Sequence, residues 1–180
     1  MLNIRHAEQK DLDNIAKLHA QSWRENYAGE LSADYLENKV EEERMAVWQA
    51  RFDKPTNNQL VLVAEINEEF CGFICAFGQQ HPQYGTVVDN LHVKAGFKGQ
   101  KIGTRLLNAM ALWAKSHYAN LGVYLEVLAC NPKAIGFYQS LGAALLEQKY
   151  WDAPCGSRVN EYAYGWDCPD LLVSGSEINL

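Results

Sequence analysis

Residues 87 to 113 set a strand, a glycine-broken turn and a helix end to end, and that handover constrains the fold more than any other stretch. Val87, Val88, Leu91 and Val93 are bulky, β-prone residues in a short run, which predicts a strand. Ile102, Leu106, Met110 and Trp113 recur every three or four positions, which predicts an amphipathic helix. Between them lie Gly96, Gly99 and Gly103, together with Lys94, Lys98 and Lys101. A helix entered this way leaves its first backbone N–H groups unpaired at the positive end of its dipole. That end is a ready site for a phosphate-like anion, here over residues 98 to 104. A lysine-bearing glycine turn is equally the pattern of a solvated loop. Neither Gly-x-Gly-x-x-Gly nor a run ending Gly-Lys-Ser/Thr is present, so the remaining chain must decide.

Residues 2 to 7 read as a strand, and Asp11 as the cap of a helix whose inner face is Leu12, Ile15, Leu18, His19, Ser22 and Trp23. Gly29 suits the left-handed stop that follows. Ser32 is the cap candidate for further helix, in one or two pieces, through Leu36, Val40, Met45, Trp48 and Phe52. Residues 59 to 66 and 70 to 77 form a hairpin pattern around Asn67-Glu68-Glu69. After the strand, turn and helix of residues 87 to 118 come a strand at 123 to 128 and a helix opened by Asn131-Pro132. The helix stops at Ser140-Leu141-Gly142, and strands at 144 to 150 and 159 to 166 follow. This order implies one α+β domain, a mixed sheet with helices on its faces, over residues 1 to 166. Residues 167 to 180 carry no periodicity and are expected to form a mobile tail.

With 180 residues, 48% of them apolar, the chain can bury a proper core in one domain. A formal net charge of -6 argues against general nucleic-acid affinity and suits an amine-bearing substrate. The five cysteines are scattered with no Cys-x-x-Cys pair, which argues against zinc and for reduced thiols in a cytoplasmic setting. No apolar run reaches the length of a membrane span, and no apolar signal core opens the chain.

Three segments then carry a resemblance to the GNAT superfamily of acetyl-CoA-dependent N-acetyltransferases, over about residues 2 to 166. They are Ile4-Arg5-His6-Ala7 followed by Asp11; residues 98 to 103 in the place of the family's Arg/Gln-x-x-Gly-x-Gly/Ala loop; and Leu125-Glu126-Val127 with Asn131-Pro132-Lys133-Ala134-Ile135-Gly136-Phe137-Tyr138 and Leu141-Gly142-Ala143. The last segment is the most specific. The resemblance implies a central, mostly antiparallel sheet of six to seven strands flanked by helices, and acetyl-CoA as cofactor. It implies that Lys98, Gly99, Gln100, Lys101, Ile102, Gly103 and Thr104 meet the pyrophosphate. Leu91, His92 and Val93 would meet the pantetheine arm and thioester carbonyl, beside a bulge that splays the central strands, and Asn131 would also touch the cofactor. Two positions depart from the family pattern. Lys98 replaces the usual Arg or Gln, and Lys101 replaces the first Gly, so altered loop geometry is expected.

The resemblance assigns Tyr138 as the acid that protonates the departing thiolate. Packing against Phe137 is the plainer reading of the same residue. For the base that takes the amine's proton, Glu126 leads, because it alternates with Leu125 and Val127 and leaves the opposite sheet face. Asp89 is the runner-up and would face the substrate amine; His92 or a water chain could also serve. Trp23 and Tyr27 lie where the family builds its acceptor pocket. The expected activity is direct transfer to a primary amine of a small molecule or peptide by a monomer or homodimer. A non-catalytic acyl-CoA sensor is the alternative from another class.

Overall fold

The computed structural model describes residues 1–173. Seven strands form one sheet in the order β1-β2-β3-β4-β5-β7-β6. The strands are β1 (Leu2–His6), β2 (Gln59–Ile66), β3 (Glu69–His81), β4 (Gly85–Val93), β5 (Val123–Leu128), β6 (Ala144–Asp152) and β7 (Arg158–Trp166). The helices are α1 (Leu12–Asn26), α2 (Ala33–Asn38), α3 (Val40–Asp53), α4 (Ile102–Tyr118) and α5 (Pro132–Ser140). Neighbouring strands pair antiparallel except β4 and β5, which run parallel. This is the expected mixed α+β sheet, with its mostly antiparallel pairing and helices on both faces.

Alternation along β2 divides the core. Leu60, Leu62 and Ala64 pack with Ile102, Leu106 and Met110 of α4, whereas Val63, with Val61 beside it, packs with Ile15 of α1 and Trp48 of α3. A strand buried on both faces needs apolar residues in both phases, which is why residues 60 to 64 read Leu-Val-Leu-Val-Ala. The β2–β3 turn is tighter than its sequence suggests. Only Asn67 and Glu68 lie outside the strands, at φ 51° and 66°, the paired left-handed geometry that matches strand twist.

Two local expectations change. Asp11 does not cap α1 with its side chain. The chain enters α1 through a 3-10 turn, and the Asp11 carboxylate turns back to accept from Arg5 at 2.7 and 2.9 Å and from the Glu8 N–H at 2.8 Å. The segment after β7, expected as a mobile tail, holds a 3-10 turn at Pro169–Leu172. Leu172 is buried in the α4 core, its carbonyl accepts from Asn108 Nδ2, and Asp170 pairs with Lys115. Residues 174 to 180 of that expected tail lie outside the described residues.

The sheet's functional irregularity lies at its centre. β4 and β5 pair only through Thr86–Val123, Val87–Tyr124 and Val88–Leu125. On the other side of β4, Cys75 pairs with Asn90 and Ala76 with Val88, so Asp89 is an extra, bulged residue. The expected bulge is present, and beyond it the two parallel strands part. Their joined end depends on Gly85, at φ 82°, where an added Cβ would stand 2.3 Å from the Gly122 carbonyl. Gly85→Ala is therefore expected to cost about 2–4 kcal/mol in urea unfolding, from left-handed strain and a backbone clash together. A loss under about 0.5 kcal/mol would show that the joined end tolerates a side chain.

Candidate active site

The parting of β4 and β5 frees backbone groups in mid-sheet. The Lys94 N–H donates to Cys71 O at 2.8 Å, and antiparallel partners exchange bonds at every second residue. His92, opposite Phe73, therefore faces β3, while the N–H groups of Leu91 and Val93 face the side from which β5 has withdrawn. Donors in such a place want a ligand or water.

The turn after β4 supplies a second set. Residues Ala95–Phe97 form a 3-10 turn, and Lys101 then precedes α4 without a side-chain cap or an acidic residue in the first helical turn. The first α4 bond in register runs from Arg105 N to Lys101 O at 3.0 Å, which leaves the N–H groups of Ile102, Gly103 and Thr104 without helical acceptors. Gly99 (φ 84°) and Lys101 (φ 60°) both adopt left-handed backbone. Lys101 thus takes up a conformation that glycine holds without strain, at a cost of about 1 kcal/mol. Gly103 packs against Phe137, where a Cβ would be 3.4 Å from the ring.

These donors open into one cavity of about 900 Å³ that reaches both faces of the sheet. Leu91, His92, Val93, Lys98, Gly99, Lys101, Ile102, Gly103, Thr104, Asn131 and Tyr138 line it, and so do Trp23, Tyr27, Asp89 and Glu126. Of the site residues expected from the sequence, Gln100 alone does not; it is exposed between the two left-handed residues of the turn. Asn131 caps α5, its Oδ1 accepting from the Ala134 N–H at 3.1 Å, and this fixes the helix that carries Tyr138. Tyr138 is 9% exposed, and burial, with Tyr27 nearby, raises its phenol pKa.

The carboxylates lie toward the α1 face. Glu126 pairs with Lys149 of β6, and Asp89 with Arg51 of α3 at 2.8 Å. Arg51 also donates to Asn90 Oδ1 at 3.0 Å and stacks over Trp48. Burial, aided by Lys98, pushes His92 down to about 4. Burial also holds His19 well below its ordinary value, and Trp48 Nε1 donates to its Nδ1 at 3.0 Å. Lys98 itself reaches Glu25 at 3.8 Å.

Residues 14–143 match the family described as "Acetyltransferase (GNAT) family". The chain belongs to the GNAT acetyltransferases. It is 26% identical over 182 residues to the "Uncharacterized N-acetyltransferase YuaI" of Bacillus subtilis (strain 168), covering 99% of each chain. It is 29% identical over 140 residues to the "L-amino acid N-acetyltransferase AaaT" of Escherichia coli (strain K12), covering 77% of this chain and 80% of that one. Among solved structures, the PaiA N-acetyltransferase of Thermoplasma acidophilum in complex with coenzyme A superposes with a TM-score of 0.63 at 22% identity. The match covers 89% of this chain and 98% of that one. GNAT enzymes are acyltransferases that use acetyl-CoA as co-substrate, and the donor groups around this cavity fit such a molecule. Among the described residues no helix is long and apolar enough to cross a membrane.

The charged residues lining the GNAT cavity that the sequence reading passed over include Arg44, Arg51 and Glu161. Each had a signal. Arg44 sits between Val40 and Trp48 on the buried stripe of α3, and Arg51 one turn on. Glu161 shares the inward phase of β7 with Val159 and Ala163. A charge in a core position is more informative than one on a polar face. Burial, with Glu126 adding repulsion and Lys149 opposing it, pushes the Glu161 carboxyl up to about 7.

A raised carboxyl pKa has a defined consequence. Below the ordinary value of 4.5 both folded and unfolded chains hold this proton; between 4.5 and about 7 the unfolded chain releases it more readily, so stability falls as pH rises. Glu161→Gln removes that loss. From pH 4 to pH 8 the variant is expected to gain about 3 kcal/mol on the parent in urea unfolding, and parallel pH profiles would contradict this.

Proposed function

We propose that this chain moves the acetyl group of acetyl-CoA directly to a primary amine of a small molecule or peptide, in a ternary complex and without an acyl-enzyme. One observation carries the reading: β4 and β5 separate after Val88, and the opening joins the uncapped α4 turn to the carboxylates on the other face. The N–H groups of Ile102, Gly103 and Thr104, with Lys98 and Lys101 beside them, are suited to the pyrophosphate. Those of Leu91 and Val93 are suited to the pantetheine arm and to the carbonyl oxygen as charge develops on it. The cofactor's chemistry is a thioester carbonyl open to attack.

Transfer needs a neutral amine, since an ammonium of pKa roughly 10 has no lone pair. The amine's lone pair forms the C–N bond, and the C–S bond breaks with its electrons left on sulfur. Glu126 accepts the proton lost from nitrogen, with Asp89 as the second candidate. Glu161 lies near Glu126 and is placed to share that proton. Tyr138 gives its phenolic proton to the departing thiolate. Trp23 and Tyr27 shape the acceptor side. The name of the E. coli relative, an L-amino acid N-acetyltransferase, supports a small primary amine as acceptor. The five free cysteines fit a reducing, cytoplasmic setting.

Cys130 does not suit a covalent route. It is exposed, and partial burial of its thiol, with Glu30 nearby, raises its pKa, which leaves less thiolate to attack a thioester. In single-turnover thiol-release assays, Cys130→Ser is expected to retain transfer within about threefold, whereas Tyr138→Phe is expected to slow it about 100-fold with coenzyme A affinity nearly kept. Loss of transfer in Cys130→Ser with acetyl-CoA still bound would replace direct attack by an acyl-enzyme. Unchanged turnover in Tyr138→Phe would remove its role as acid.

A further inference from the structure

Arg44 is the least expected side chain in the cavity wall. It occupies a helical position, between Val40 and Trp48, that the rest of α3 uses for core packing, and it is only 9% exposed. Its guanidinium lies over the Trp23 ring, 4.4 Å from the centroid, so one of its faces is covered. Glu43 accepts from Nη2 at 2.5 Å, but Nε is buried with no hydrogen-bond partner. A buried guanidinium donor left unmatched is costly, and its planar fork is shaped for a carboxylate.

The surroundings narrow the choice of anion. Arg44 lies on the acceptor side, against Trp23, which in turn contacts Tyr27 at 5.5 Å and Trp151 at 5.6 Å between centroids. All four residues line the cavity, as do Glu161 and Glu126. Glu161 is near enough to Tyr27 to bear on its phenol. The acceptor side therefore presents the Arg44 cation, an aromatic wall and a pair of carboxylates that Lys149 bridges from β6. One small molecule that meets all three has a carboxylate, an apolar body and an amine.

We propose that the acceptor is a free amino acid and that Arg44 is the specificity-determining residue, receiving its carboxylate while its amine lies toward Glu126 and Glu161. This deepens the proposed acetyl transfer and rests on it. The aromatic wall of Trp23, Tyr27 and Trp151 favours apolar or aromatic side chains over charged ones. An amine without the carboxylate leaves Arg44 Nε unmatched, and this discriminates more strongly than a missing methylene would.

The test compares L-amino acids with their carboxamides. Thiol release is measured for phenylalanine, methionine and leucine against the three amides. Binding of the same six compounds is measured by calorimetry on the enzyme saturated with coenzyme A. The acids are expected to exceed the amides in kcat/KM by about 10- to 100-fold, the range of a charge-assisted hydrogen bond. In Arg44→Gln and Arg44→Lys that ratio is expected to collapse toward one in the glutamine variant and to recover in part in the lysine variant, mainly through KM. Equal use of acids and amides by the parent enzyme, which requires no variant to fold, overturns the role of Arg44. Failure of acids to bind also overturns it. Acids that bind in preference to amides yet release no thiol leave the Arg44 assignment standing and sink the catalytic reading instead.

Discussion

The structure depends on a sheet that is joined at its centre for only three residue pairs. β4 and β5 meet at Thr86, Val87 and Val88 and then diverge, because Asp89 is inserted into β4 as a bulge against β3. A bulge bends and twists its strand, and here it bends β4 away from its only parallel neighbour. The unpaired N–H groups of Leu91 and Val93 would be a defect in an ordinary sheet. For the proposed acetyl transfer they are donors suited to an extended cofactor arm, held in place by the β3 pairing behind them. The glycines at the joined end serve the same arrangement, since the contact between Gly85 and the Gly122 backbone lets the strands close at one end while they open at the other.

Electrostatics follow from that opening. Once the sheet parts, side chains in core positions meet a cavity rather than packed neighbours, and charges become tolerable there. Arg44, Arg51 and Glu161 occupy such positions, and each is met by an aromatic ring or an opposite charge. The neutral histidines His19 and His92, whose rings lie 5.0 Å apart, extend this low-dielectric region. Two neighbouring rings packed in a wall with arginines nearby cannot readily both hold charge.

Much of this was legible in the sequence because local chemistry and tertiary position agree. The α5 cap at Asn131, the α2 cap at Ser32, the left-handed Gly29 in the turn after α1 and the apolar phases of β2, β5 and α4 all fall where pattern places them. Asp11 was misread because a cap residue and an ion-pair partner look alike without Arg5 in view. Leu172 was missed because a 3-10 turn with two buried residues, Pro169 and Leu172, is too short to leave a periodicity. Lys101 could be flagged as a departure, but its left-handed backbone could not be read from a residue that rarely adopts it. Arg44 and Glu161 were hidden for another reason: their importance comes from residues far away in the chain that turn a core position into a cavity wall.

Amide hydrogen exchange with and without acetyl-CoA tests the central claim most directly. Binding in the gap is expected to slow exchange at Leu91 and Val93 together with Ile102, Gly103 and Thr104, two groups on separate elements that share no helix or strand. Protection confined to other segments, or none at saturating cofactor, would show that the parted strands and the uncapped turn do not hold it.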